Sequence, residues 1–389
     1  MSKKGQTYFT IKSEKYGPYV KWALVLALVY LMLVAVSIIG SGFKISTGGA
    51  AAQLFEFATN PLIALMIGVV ATAAIQSSST VTSIIVGLVA GGLPISMAIP
   101  MVMGANIGTS LTSTIVSLGH VRDGEEFKRA FSAATVHDSF NVFAVLLIFP
   151  IELMFHPLEN ASLWLAGYFA NDVAAADMNV SSFNFISIAI SPIVSSIMWT
   201  SSIIEGVWQG IILILLGVAI ILFVVHTIGK ILKKLMTGRA LEIMNTAVGR
   251  GPISGIGAGS IVTILVQSSS TTTALIVPMA GSGVMTMKQI YPFTLGGNIG
   301  TTITALLAAT AITGPTAILA FQIALLHLLF NLFAILLIFS IPLLRNIPPM
   351  VAEWMAEITQ KNKWFVGAYI LTVFFLVPLL VLGVSEFFF

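Results

Sequence analysis

Five polar residues, Gln76-Ser77-Ser78-Ser79-Thr80, return letter for letter as Gln267-Ser268-Ser269-Ser270-Thr271, and each row interrupts an apolar stretch. Serine and threonine hydroxyls donate hydrogen bonds and rotate to accept them. If each row turns the chain and opens a helix, it adds unpaired backbone N–H groups and the partial positive charge of a helix start. Such a set binds a phosphate-like anion without lysine or arginine. Ser77, Ser78, Ser79, Ser268, Ser269 and Ser270 are therefore the candidate anion ligands. The oxygens of Gln76, Thr80, Gln267 and Thr271 suit a hard monovalent cation such as sodium.

A second duplicated block has the same character. Gly104-Ala105-Asn106-Ile107-Gly108-Thr109-Ser110 matches Gly296-Gly297-Asn298-Ile299-Gly300-Thr301-Thr302. Its glycines permit unwound backbone. Asn106, Thr109, Ser110, Asn298, Thr301 and Thr302 would supply cation ligands beside it. The competing reading is helix packing, because small residues let membrane helices approach closely. That reading is preferred for Gly68, Gly87 and Gly259. A third block pairs His137, Phe140 and Asn141 with His327, Phe330 and Asn331. His137 and Asp138 are candidates for coupling or gating, since intramembrane ionisable groups are functional by default. Asp138 is not duplicated, however, and a helix-anchoring role is the stronger expectation for it. His226, near a helix end, reads as an interfacial residue.

These residues need elements that hold polar groups at membrane depth. The chain has 389 residues, 57% hydrophobic and only 8% charged, with no cysteine and a net charge of +3. Apolar runs such as Trp22 to Ile39, Val207 to Val225 and Trp364 to Leu382 are near the twenty residues a spanning helix requires. The cysteine count excludes disulfides and thiolate metal sites. The basic residues sit in short segments, which is a topology signal and not a nucleic-acid footprint. Lys3, Lys4, Lys12, Lys15 and Lys21 put the N-terminus in the cytoplasm, with Arg122 to Arg129 and Lys230 to Arg250. Ile151 to Ser182 has acids but no Lys or Arg and reads as an outside loop. The segment Phe183 to Ile204 reads as re-entrant or tilted, weakened by its serines and Pro192.

The segments around each tip are too short to span at about 1.5 Å per residue. The expected fold is therefore an all-α polytopic membrane protein of two inverted-topology repeats, each with a re-entrant helical hairpin and a broken helix. Residues 1–21 form a cytoplasmic segment, 22–150 the first repeat and 151–182 an extracytoplasmic loop. Residues 183–345 form the second repeat and 346–389 a C-terminal linker and last helix. Two facing half-sites at the repeat interface are the arrangement of a secondary transporter. A membrane serine hydrolase, with Ser78 or Ser269 as nucleophile and His137 as base, is the rival from another class. It lacks a Gly-x-Ser-x-Gly elbow and leaves the duplication unexplained. A channel fits less well, because closed polar tips suit occlusion better than a continuous pore.

On the paired Gln-Ser-Ser-Ser tips, the paired Asn-Ile-Gly-Thr blocks, the run Val136 to Asn141 and the terminal helix from Lys363, the chain resembles the type II sodium–phosphate cotransporter family. The resemblance covers roughly residues 20–385. It implies sodium-driven symport of inorganic phosphate by alternating access, with the serines named above as the phosphate ligands, and no enzymatic activity. It also implies phosphate, sodium ions and lipid as partners, with no nucleic acid, no cofactor and no transition metal. A homo-oligomer is compatible with it, and a bacterial inner membrane is the expected location. Sulfate, arsenate or a dicarboxylate are the alternative cargoes. Electrogenic animal members carry an Asp before the first tip, where this chain has Gln53 in the segment Gly49 to Phe55. Two sodium ions per divalent phosphate, an electroneutral cycle, is the expectation that follows.

Overall fold

The computed structural model describes residues 5–48, 60–120, 124–175, 181–247, 250–312 and 316–388. Gln53, Lys3, Lys4 and Arg122 lie outside the described residues. The described residues contain helices and turns and no strand. In chain order the first half has α1 (Gly5–Thr47), α2 (Pro61–Ile75), α3 (Ser78–Ala90), α4 (Ile95–Ile107), α5 (Leu111–Ser117) and α6 (Gly124–Phe155). Then come α7 (Pro157–Ala175), α8 (Ser181–Ser201) and α9 (Val207–Ala247). The second half continues with α10 (Pro252–Val266), α11 (Ser269–Gly281), α12 (Met287–Ala309) and α13 (Ala317–Ala334). The chain ends with α14 (Pro342–Arg345), α15 (Ile347–Lys361), α16 (Trp364–Leu371) and α17 (Val377–Phe388).

Among the described residues, 6 helical segments are long and apolar enough to cross a membrane: Tyr19–Thr47, Ile95–His120, Gly124–Phe155, Val207–Leu232, Ala317–Phe339 and Trp364–Gly383. The protein is thus an all-helical, multi-pass membrane protein. The helices α2 and α10 are apolar but only 15 residues each. At about 1.5 Å per residue they reach roughly 22 Å, short of a hydrocarbon core of about 30 Å.

Glycine sets how these short helices pack. A Cβ on Gly68 would stand 2.1 Å from the Met101 carbonyl oxygen, and one on Gly104 would stand 2.0 Å from that of Leu65. The second half repeats this contact: a Cβ on Gly259 would meet the Phe293 carbonyl at 1.9 Å, and one on Gly296 that of Ile256 at 2.0 Å. Backbone therefore lies on backbone between α2 and α4, and again between α10 and α12. Small residues allow this where apolar side chains have no hydrophobic advantage over lipid.

This packing corrects the expectation that the glycines of the Asn-Ile-Gly-Thr blocks unwind the chain. In the first half the helix only tightens, to a 3₁₀ turn over Gly108–Ser110 between α4 and α5. In the second half α12 runs unbroken from Met287 to Ala309, with Pro292 inside it. Gly300 is helical and faces the side chain of Thr263; a Cβ added to it would stand 2.5 Å from the Thr263 Cβ. The missing side chain serves close approach, so no broken backbone is needed.

The acidic stretch read as an outside loop is largely helical. α6 extends to Phe155, and α7 starts at Pro157, with one residue between them. That residue, His156, takes a left-handed φ of 50° at the joint. The buried Glu152 carboxylate accepts the backbone N–H groups of Leu158 at 2.8 Å and Glu159 at 2.9 Å. A carboxylate at a helix start satisfies orphan donors and complements the helix dipole. The terminal helices clamp the first half: Tyr369 donates to Asp138 at 3.0 Å, and Lys128 pairs with Glu357 at 2.9 Å. Asp138, 1% exposed, thus anchors α16 to α6.

Candidate functional site

Each Gln-Ser-Ser-Ser-Thr row folds as a helix end followed at once by a helix start. Gln76 ends α2 at φ 59°, and Gln267 ends α10 at φ 56°. A left-handed glutamine is strained by about 1 kcal/mol or more, and such strain concentrates at functional sites. The backbone N–H of Gln76 donates to the Thr72 carbonyl at 2.6 Å, and that of Gln267 to the Thr263 carbonyl at 2.7 Å. The next residue is extended and caps the following helix. Ser77 accepts from the Thr80 N–H at 3.3 Å, and Ser268 from the Thr271 N–H at 3.1 Å. A serine cap is worth about 1 kcal/mol to its helix.

Both glutamine side chains are held in the same way. Thr112 donates its hydroxyl proton to the Gln76 side-chain carbonyl at 3.2 Å, and Thr304 to that of Gln267 at 3.0 Å. Thr112 and Thr304 occupy matching positions just past the Asn-Ile-Gly-Thr blocks. Extending that alignment by a few residues would have found them.

The two tips meet. Gln76, Ser77 and Thr80 of the first, with Ser268, Ser270 and Thr271 of the second, line one cavity of about 330 Å³. Thr112 lies on its wall. Two helix starts thus present their donors to a shared volume. The opposite wall is α9, which contributes His226, Gly229 and Lys230. His226, an exposed residue, therefore lines the tip cavity. Lys230 supplies a positive charge near the end of the apolar stretch Val207–Leu232, well inside the longer helix α9. Among the described residues no carboxylate pairs with it. Ser79, Gln267 and Thr304 face a second, smaller cavity of about 160 Å³ between α1 and α9. Ser78 and Ser269 are buried, at 2% and 3% exposure, and line neither cavity.

Below the tips, a buried network crosses the two halves. His137 on α6 donates from Nε2 to the Asn298 side-chain oxygen on α12, and Asn298 donates to Asn141 at 2.7 Å. His327 on α13 contacts the Asn106 side-chain oxygen on α4 at 3.3 Å, and Asn106 reaches Asn331 at 3.4 Å. The oxygen acceptor implies a proton on each Nε2, an assignment from the hydrogen-bond network. Asn141 also donates to the Asn106 carbonyl at 2.8 Å. The asparagine of each half is therefore gripped by the His-x-x-x-Asn segment of the other. His327, Asn141 and Asn331 belong to this constellation beside the candidates Asn106, Asn298 and His137. Their duplication was the signal for it.

The remaining candidates sit between these layers. Ser270 donates to the Thr109 carbonyl at 3.0 Å, joining the second tip to the first half. Thr301 and Thr302 turn their hydroxyls back onto the helix carbonyls of Asn298 and Ile299. The side chain of Ser110 lies outside the described ones.

Comparison with known proteins gives the same assignment. A family model described as Na+/Pi-cotransporter matches residues 31–230 and again 220–351. The human sodium-dependent phosphate transport protein 2B is 33% identical across 93% of this chain and 65% of its own length. The corresponding protein 2A of Rattus norvegicus is 31% identical across 94% of this chain and 68% of its own length. The chain thus spans about two thirds of the length of these relatives, and just under that of the 2B protein. No solved structure gives a match. The duplicated tips, the crossed network and the family match over both halves agree, and the chain belongs to the Na+/Pi-cotransporter family.

Proposed function

We propose that this protein is a sodium-coupled symporter that takes up inorganic phosphate by alternating access, with phosphate held between the two tips. One observation carries this reading: the starts of α3 and α11 line the same cavity. Each helix start contributes about half a positive charge and unpaired N–H donors. Ser77 and Ser268 add hydroxyl donors to that volume, Ser270 lines it with its own proton on the Thr109 carbonyl, and Lys230 adds a full charge on its wall. Sodium ions near Gln76, Thr80, Gln267 and Thr271 offset the remaining anionic charge. Neither ion then binds well without the other, which is thermodynamic coupling. The Asn106, Thr109, Thr301, Thr302 and Asn298 layer supplies further oxygens behind the tips.

In this reading α2–α3 and α10–α11 are re-entrant hairpins in two inverted repeats. The positive-inside rule then puts the N-terminus and the basic stretch from Lys230 to Arg250 in the cytoplasm of a bacterial cell. Homologues named as sodium-dependent phosphate transport proteins support the cargo. The hydrolase reading loses its base, since His137 bonds Asn298 and not a serine.

The test is uptake of labelled phosphate into proteoliposomes. Accumulation is expected under an inward sodium gradient and not under an equal potassium gradient. Uptake that ignores sodium would sink the proposal, and sulfate competing as well as phosphate would change the cargo.

A further inference from the structure

A further cavity lies away from the tips, at the start of α12 and the corner between α14 and α15. It measures about 630 Å³, and its wall carries Lys288, Tyr291, Arg345 and Glu353. Tyr291 is 4% exposed, and its hydroxyl is buried with no hydrogen-bond partner. Buried tyrosine hydroxyls almost always find a partner, so an orphan here calls for a ligand atom. Arg345 lies within electrostatic reach of that hydroxyl and rests over the Phe339 ring, 5.6 Å from its centroid. Among the described residues neither Arg345 nor Lys288 forms an ion pair. Two cations against the single Glu353 carboxylate leave the cavity positive.

The surroundings are apolar and open. Leu343 is 78% exposed and Met350, on the cavity wall itself, is 65% exposed. A free anion gains nothing from such neighbours, whereas an acyl chain does.

We propose that this cavity binds the phosphate group of an anionic phospholipid. The Tyr291 hydroxyl, Lys288 and Arg345 donate to the phosphate oxygens, and the acyl chains run along Leu343 and Met350. Arginine suits phosphate because its planar fork donates two parallel bonds. Basic pockets beside membrane helices bind anionic headgroups for the same reason. The lipid would link the α14–α15 corner to α12, the helix that carries Asn298 and Thr304.

The test uses the full-length protein in detergent, read by native mass spectrometry. Separate arms contain phosphatidylglycerol, phosphatidylcholine and inorganic phosphate, and none of them depends on transport. One retained phosphatidylglycerol per chain is expected, at least tenfold above phosphatidylcholine. Arg345→Gln and Lys288→Gln should each lower its occupancy several-fold, and Tyr291→Phe by a smaller factor. Should Arg345→Gln fail to fold, Lys288→Gln and Tyr291→Phe decide. Equal retention of both lipids, or unchanged binding by these variants, would overturn the proposal. Displacement of phosphatidylglycerol by micromolar inorganic phosphate would overturn the lipid as the source of the phosphate group.

Discussion

The imidazole of His137, in the first half of the chain, donates its Nε2 proton to the side-chain oxygen of Asn298 in the second. Both residues are essentially fully buried. His327 and Asn106 form the reciprocal pair. Each half thus supplies hydrogen-bond partners to the other, in surroundings where an unsatisfied polar group costs about 1–3 kcal/mol. A double-mutant cycle with His137→Gln and Asn298→Ala should show a coupling of roughly 0.5–3 kcal/mol in detergent unfolding. Additive effects would mean the pair does not join the halves.

Gln76 and Gln267 combine strained backbone with a side chain held by threonine. Glycine adopts the left-handed conformation freely. Gln267→Gly should therefore unfold at the same temperature or higher, yet lose sodium-driven phosphate uptake. Gln76→Gly should behave likewise. Uptake near the unsubstituted rate in both variants would remove the glutamines from the transport site.

The glycine contacts predict a sharp contrast. A methyl group on Gly259 would collide with the Phe293 carbonyl, so α10 must move off α12. Gly259→Ala should lower the unfolding temperature by several degrees, since overpacking costs about 1–3 kcal/mol or more. Gly229, with nothing within 4 Å of the same added atom, should accept alanine without loss. Melting curves of the two purified variants provide the comparison.

Lys230 stands on the cavity wall opposite the tips. Lys230→Gln should raise the phosphate concentration for half-maximal uptake roughly two- to tenfold, the scale of one solvent-screened charge contact. The maximal rate should change little, and Lys230→Arg should restore the affinity. The difference should shrink as ionic strength rises. An unchanged half-saturation value at low salt would remove Lys230 from phosphate recruitment.

A cycle of two sodium ions with one divalent phosphate moves no net charge. Phosphate jumps under voltage clamp should then evoke no current while isotope uptake proceeds. A robust phosphate-evoked current would show a further cation in the cycle. Gln53→Asp is the substitution expected to introduce such a current.

The apolar runs, the polar tips and the duplication could all be read along the chain, because lipid imposes a local rule. Long apolar segments become helices, and polar groups among them need partners. That rule made Ser77 and Ser268 stand out without any knowledge of their neighbours. It also supplied the matched His, Phe and Asn block, although not its use. Which half each residue serves was decided by tertiary packing. Backbone approach at Gly68 and Gly259 fixes where α4 and α12 lie, and so which histidine reaches which asparagine. The same packing assigned Gly104 and Gly300 to close contact, where sequence allowed either contact or unwinding. It turned α9 so that Lys230 and His226 face the tips. A helical period says which residues share a face, but not what that face meets. Those partners lie far along the chain, where no local pattern reaches.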